Sequence, residues 1–149
     1  VTTVSGPRQA VDLMKPSAGF NPAAKAIVET AETITASTDT TARASVTSYD
    51  AKTIEIETSS PDEGFLVLSE IYYPAGWEAT IDGEPATIFK TNFVLRGLQV
   101  PAGEHTIRMT FEPASNIWGL RLAWAGHILL WVTGIGAVGL WNSKRDTAP

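Results

Sequence analysis

The stretch from Ile117 to Trp141 is almost uninterruptedly apolar, with tryptophans at 118, 124, 131 and 141, and Lys144 and Arg145 follow it at once. A bilayer core takes about 20 apolar residues in helical form, and Leu122 to Trp141 supplies that length with His127 as its only ionisable member. The run predicts a membrane-spanning helix over 117–141. Whatever precedes it is then expected to be held at a membrane.

Averaged composition conceals this division. Over 149 residues the chain is 44% hydrophobic with a mean hydropathy of +0.02, the values of an ordinary soluble domain. Residues 1–116 hold most of the charge, whereas 117–141 contain only Arg121 and His127 among ionisable groups. The net charge of −5 is spread without a basic stripe, which argues against nucleic acid as a partner. The absence of cysteine excludes disulfide staples and cysteine-based zinc sites.

The amino terminus, Val1-Thr-Thr-Val-Ser-Gly-Pro-Arg8, has no initiator Met, no basic region and no apolar core, so it is not a secretory signal. An exported domain would then need an upstream signal or earlier membrane helices, and the chain is expected to be the tail of a longer protein. Lys144 and Arg145 lie just past the apolar run, against Arg121 and the more distant Arg108 on its other side. The positive-inside bias therefore favours a cytoplasmic carboxyl-terminal tail over 142–149 and an extracytoplasmic domain. Trp118, Arg121, Trp141, Lys144 and Arg145 are the expected interface anchors, with Arg121 close enough to Trp118 to reach the headgroups. Membrane lipid is accordingly an expected partner.

Residues 43–113 read as strands. Thr53-Ile-Glu-Ile-Glu-Thr58 alternates apolar and acidic residues, the period of a strand with one buried face. Phe65 to Tyr73 is a denser apolar run, suited to a central strand buried on both sides. Trp77 to Ile81, then Asp82-Gly83, then Ala86 to Phe89 is a hairpin signal, because Asp-Gly takes the positive φ angles of a type I′ turn. Val94 to Val100 follows, Pro101-Ala-Gly103 turns, and His105 to Phe111 alternates again with Ile107, Met109 and Phe111 on one face. Arg43 to Tyr49 adds a further strand. The expected core is Ile54, Ile56, Leu66, Leu68, Ile81, Ile107, Met109 and Phe111, with Glu55, Glu57, Arg108 and Thr110 turned outward.

Residues 1–42 differ in texture. Arg8 to Met14 suits a short helix stopped by Pro16, Lys25 to Glu29 a strand, and Thr33 to Thr41 a threonine-rich linker or exposed loop. The predicted fold is mainly β. An antiparallel β-sandwich of six or seven strands over 43–113 follows a small α/β segment and precedes one carboxyl-terminal transmembrane helix.

These segments carry a resemblance. Gly64-Phe-Leu-Val-Leu-Ser-Glu-Ile-Tyr-Tyr-Pro-Ala-Gly-Trp-Glu-Ala-Thr-Ile-Asp-Gly83, then Asn92-Phe-Val-Leu-Arg-Gly97, Val100-Pro-Ala-Gly-Glu-His105 and Phe111-Glu-Pro113 before an apolar helix, resemble the carboxyl-terminal region of the YfhO family of bacterial multispanning membrane proteins. Phe20-Asn-Pro-Ala-Ala-Lys-Ala-Ile-Val-Glu29 is similar to the segment preceding that sandwich in the family. Ala75 departs from it, since the family more usually reads Tyr-Pro-Gly-Trp. The resemblance implies a GT-C-type membrane glycosyltransferase that uses a lipid-phosphate-linked sugar to decorate a cell-envelope polymer. It places the catalytic acids near amino-terminal membrane helices, so no catalytic residue falls on this chain, which alone is expected to be inactive and free of cofactors.

Within the sandwich, Glu70, Tyr72, Tyr73, Trp77 and Asp82 are candidates for carbohydrate or partner contact. Aromatic rings stack on pyranose faces and carboxylates accept from hydroxyls. The structural alternative is that Tyr72 and Trp77 fill the core and Asp82 only makes its turn. Glu70 and Glu78 as a glycosidase pair would need a fixed separation and one raised pKa, neither of which sequence displays. His127 could serve as an axial metal ligand, yet without a partner motif a lone intramembrane histidine more often hydrogen-bonds within protein. Gly119, Ala123, Gly126, Thr133 and Ala137 recur at helical spacings and form a small-residue stripe that fits neighbouring transmembrane helices, of the same or another chain. The alternative function is a single-span accessory subunit of a membrane complex, with the sandwich as its docking surface.

Overall fold

The computed structural model describes residues 1–37 and 41–146, and side-chain surroundings as far as residue 136 except at 114 and 117. It divides into two compact units, Val1–Glu112 and Pro113–Pro149. The first is the β-rich unit. Its strands are β1 (Thr2–Val4), β2 (Ile27–Glu29), β3 (Arg43–Tyr49), β4 (Thr53–Ser60), β5 (Gly64–Ile71), β6 (Trp77–Ile81), β7 (Glu84–Ala86), β8 (Phe89–Thr91), β9 (Leu95–Val100) and β10 (Gly103–Phe111). A short helix, α1 (Pro7–Met14), lies between β1 and β2.

The strands form two five-stranded sheets, ordered β1-β2-β8-β9-β5 and β3-β4-β10-β6-β7. Every pairing is antiparallel except β1 with β2. The core lies between the sheets. Ile54, Ile56, Ala79, Ile107 and Met109 from one sheet meet Leu68, Leu98 and Val100 from the other, with Leu66, Trp77 and Ile81 packed at the margin. Strand β10 is central: it pairs with β4 on one side and β6 on the other, and Ile107 and Met109 are fully buried. Alternation along this strand follows from the pleat, which sends successive side chains to opposite faces. Arg108, between them, reaches out to pair with Glu55 at 3.1 Å, both side chains being well exposed.

Several expectations are corrected. The apolar run beginning at Phe65 is not a central strand: β5 is the edge of its sheet, and Ile71 at its end is exposed. The run is dense because each face of β5 meets something different. Leu66 and Leu68 enter the inter-sheet core, whereas Phe65 joins Val28, Ile34 and Phe89 in a second apolar cluster. That cluster also revises the threonine-rich segment, where Ile34 is buried and the Ser37 backbone N–H donates to the Glu63 carbonyl at 2.8 Å. The second hairpin strand is short. The chain leaves the β3-β4-β10-β6-β7 sheet after Ala86 and enters the other at Phe89, so the segment expected as one strand serves two sheets. Strands β1 and β2 extend the sheet that contains β5, so the sandwich is wider than six or seven strands.

Gly97 shows how tightly β5 and β9 fit. A Cβ there would meet the Phe65 ring at 2.5 Å and Thr91 Oγ1 at 2.7 Å, so the Phe65 ring occupies the space that glycine leaves. The Asp82-Gly83 turn has the expected positive φ angles, 52° and 90°, with Ile81 opposite Glu84.

The second unit contains α2 (Ala114–Asp146), a 33-residue helix that starts earlier and ends later than the apolar run. Among the described residues no helix is long and apolar enough to cross a membrane. Arg121 and His127 dilute the first part of the run, and its last residues, 137–141, are outside the described side chains. Ala137, Trp141, Lys144 and Arg145, singled out in the sequence, likewise lie outside them.

The register can be tested directly. Ile107→Asp would bury an unpaired carboxylate in the centre of the core and is expected to abolish the folding transition. Arg108→Ala removes only an exposed pair and should cost less than about 1 kcal/mol. Thermal denaturation followed by circular dichroism separates the two, and equal losses would show that the facing of β10 is misassigned.

Candidate functional site

The two ends of the sandwich differ chemically, and the pairing of β10 explains how. One end gathers the close of β5 and β10 with the start of β6; the other gathers the β6–β7 turn with the start of β10. Five residues of strand, about 17 Å, separate Trp77 at the first end from Asp82 at the second.

At the first end Tyr72, Tyr73 and Trp77 come together around an open cleft of about 500 Å³, whose polar lining includes Glu78, Thr80 and Thr110. The Trp77 and Tyr73 rings each pack against Phe111, at centroid distances of 5.3 and 6.2 Å. Tyr73 is exposed, while Tyr72 and Trp77 are half-buried. Trp77 therefore both packs against Phe111 and lines the cleft. A pair of tyrosines and a tryptophan flanked by a carboxylate and two hydroxyls supplies flat apolar faces beside hydrogen-bonding groups.

Behind Trp77 lies a residue whose importance sequence reasoning missed. Arg96 is only 3% exposed and its guanidinium stacks over the Trp77 ring at 4.2 Å. Its Nη2 donates to Glu70 at 3.5 Å, and Glu70 also accepts from the Tyr49 hydroxyl at 2.6 Å. Among the described residues the Nε and Nη1 groups have no hydrogen-bond acceptor. Burial pulls the Arg96 pKa down, and the neighbouring Glu70 carboxylate pulls it back up. The same carboxylate, by accepting the Tyr49 hydrogen bond and through its negative charge, raises the tyrosine above its ordinary value. A shift of register between Leu68 and Ile71 lets β5 accommodate Glu70 beside this group. The signal was present in the sequence: Arg96 stands at the inward position of Arg96, Leu98 and Val100, an arginine in an apolar alternation.

Asp82 is not part of this cleft. Its Oδ1 accepts from the Thr106 backbone N–H at 2.8 Å and its Oδ2 contacts His105 Nδ1 at 2.6 Å, while His105 Nε2 faces the Ala102 carbonyl at 3.1 Å. Both ring nitrogens thus face acceptors, an arrangement that favours the doubly protonated imidazolium. Glu78 and Glu70 are also parted: Glu78 lines the cleft, whereas Glu70 is engaged by Tyr49 and Arg96. No group of three or more histidine, aspartate or glutamate side chains among the described residues could hold a metal ion.

In α2, His127 Nδ1 lies 2.9 Å from the Ala123 carbonyl, and the Thr133 hydroxyl donates to the carbonyls of Leu129 and Leu130 at 2.9 and 3.1 Å. Thr133 is satisfied by its own helix, and His127 is tied to it through Nδ1. Arg121 stands over the Trp118 ring at 5.4 Å. A Cβ added at Gly119 or Gly126 would meet open space.

The Asp82–His105 contact makes a pH prediction. Asp82 is held below its ordinary range chiefly by the bond to His105 and then by the Thr106 N–H; His105 is raised chiefly by Asp82 and then by the Ala102 carbonyl. A depressed aspartate contributes stability above its unfolded value and loses it as pH falls through its folded value. A raised histidine contributes below its unfolded value, about 6.5, and loses it as pH rises through its folded value. Stability should peak between these limits. Thermal unfolding between about pH 2 and 9 should show the Tm falling on both sides in the parent protein and a flatter profile in Asp82→Asn. Superimposable profiles would contradict the coupling.

A family model described as "Bacterial membrane protein YfhO" matches residues 24–123. No curated protein and no solved structure matches the chain.

Proposed function

Because the chain belongs to the YfhO family of bacterial membrane proteins, we propose that it is the non-catalytic, carboxyl-terminal sandwich of a membrane glycosyltransferase that decorates a cell-envelope polymer. In this reading the sandwich is extracytoplasmic, α2 spans the bilayer, and Lys144 and Arg145 lie on the cytoplasmic side. The sandwich contributes a carbohydrate-contact cleft and leaves bond-making to other parts of the enzyme. The resemblance of the ordered motifs to the YfhO carboxyl-terminal region supplies the reaction class.

The observation that carries the binding role is the cleft itself. Tyr72, Tyr73 and Trp77 offer ring faces to a pyranose, and Glu78, Thr80 and Thr110 offer acceptors and donors to its hydroxyls. Trp77 is steadied from behind by Arg96, so its ring is positioned before a ligand arrives. The span is supported by the length of α2, whose 33 residues extend about 50 Å at 1.5 Å per residue. It is also supported by the hydrogen bonds of Thr133 and His127 to their own helix, since polar groups in hydrocarbon need internal partners.

Saturation-transfer NMR with methyl glycosides of glucose, galactose and N-acetylglucosamine tests the cleft in the full chain held in detergent. An aromatic contact is worth about 0.5–1.5 kcal/mol, so Tyr73→Ala should weaken binding roughly 2- to 10-fold while leaving the fold intact. Tyr73 suits this test because it is exposed. Glycosides that do not bind, or bind Tyr73→Ala unchanged, would remove the carbohydrate role and leave the docking-surface alternative.

Sidedness has its own test, helped by the lack of native cysteine. Ser60→Cys should react with an impermeant maleimide added to intact cells, and Thr147→Cys should react only after lysis. The reverse labelling pattern would place the sandwich in the cytoplasm.

A further inference from the structure

Beside the cleft, the same end of the sandwich carries apolar side chains that carbohydrate contact does not use. Ile71 is 71% exposed, Val94 47% and Phe93 40%. They are neighbours. Ile71 pairs with Leu95 across β5 and β9, and the Tyr72 N–H donates to the Val94 carbonyl at 2.7 Å.

The backbone holds Phe93 outward at a cost. Phe93 has φ 70° and Asn92 before it φ 47°, the left-handed region that a bulky side chain rarely adopts. Asn92 fixes the turn from beneath: it is buried, its N–H donates to the Ile27 carbonyl at 2.8 Å, and its side-chain oxygen accepts from the Ile27 N–H at 2.9 Å. The Val94 N–H then returns to the Asn92 carbonyl at 2.9 Å. Such strain persists only where surrounding contacts over-determine it, and it concentrates at positions with a task. Here it keeps two apolar side chains facing water.

Chain connectivity indicates what they face in the membrane-bound protein. The Glu112 N–H donates to the Gly76 carbonyl at 2.7 Å, so the sandwich holds the chain as far as Glu112. Helix α2 begins at Ala114, leaving Pro113 alone between the two. The patch is tied to that exit, because Tyr73, two residues after Ile71, packs on Phe111. Lys90 Nζ, itself paired with Glu29 at 2.9 Å, stands 5.1 Å over the Phe93 ring. An ammonium above an aromatic ring suits the boundary between headgroups and acyl chains.

We propose that Ile71, Phe93 and Val94 enter the headgroup region of the bilayer and seat the sandwich on the lipid surface, with the aromatic cleft opening beside it. This rests on the reading that α2 spans the membrane. A cleft so seated meets sugars at the height where a lipid-phosphate carrier presents them.

Depth-dependent fluorescence quenching tests the seat. Ile71→Cys, Val94→Cys, Glu84→Cys and Leu129→Cys, each in the full chain, would carry an environment-sensitive fluorophore in vesicles of phosphatidylcholine and phosphatidylglycerol. Glu84 is the control, at the opposite end of the β6–β7 hairpin, and Leu129 reports the helix. Severalfold stronger quenching at Ile71 and Val94 than at Glu84 by a nitroxide near the lipid headgroup, with loss of iodide quenching, is expected. Iodide quenching equal to that at Glu84 would overturn the seat, and shielding from both quenchers would overturn it in favour of a protein surface. Leu129 keeps the two readings apart. Lipid quenching there without any at Ile71 and Val94 would defeat the seat and leave the span. With a nitroxide carried deep on the acyl chain, absence of quenching at Leu129 would defeat the span and, with it, the basis of the seat.

Discussion

Burial of one face of each sheet against the other is the constraint on which the rest of this structure depends. Ile54, Ile56, Ile107 and Met109 are almost wholly withdrawn from water against Leu68, Leu98 and Val100, and each full burial contributes about 1.5–3 kcal/mol. The strands that carry them are thereby fixed in register. A shift of one residue would turn Arg108 inward and Ile107 out. Everything with chemical interest sits where this apolar contact ends.

At the aromatic end the transition is managed by Arg96. Its charge is buried but not isolated: Trp77 receives it from one sheet and Glu70 from its own. Removing one member of such a group leaves the others desolvated and unpaired, so the end of the core and the position of the Trp77 ring are energetically coupled. The same tryptophan lines the cleft. A cleft wall built this way inherits its rigidity from the fold. The opposite end is polar and held by Asp82, which terminates a hairpin and ties it to Thr106 and His105.

The β-rich unit and the helix solve different solvation problems. In the sandwich, polar backbone is paired across strands and charged side chains such as Arg108 and Glu55 meet at the surface. In α2 the described apolar side chains are exposed along the helix, while Thr133 and His127 turn back onto their own carbonyls. The sandwich thus meets water with paired backbone and surface charge, whereas the helix carries exposed apolar side chains and polar ones turned onto its own backbone.

The sequence by itself determined what depends on neighbours along the chain. Alternation marked β4 and β10 and the isoleucines and methionine they bury, Asp82-Gly83 marked its turn through the φ angles it tolerates, and the ordered motifs marked the family. Only the tertiary structure decided what depends on residues far apart. The run from Phe65 read as a central strand because apolarity on both faces has the same sequence signature whether the cover is a second strand or the Ile34 segment. Trp77 drew notice as an aromatic, but its partner Arg96, 19 positions on, is brought to it only by packing of the two sheets. Asp82 and the tyrosines seemed one constellation until the length of β6 separated them. Local periodicity is written in covalent order, whereas a site is a property of surfaces that meet only after the core has closed.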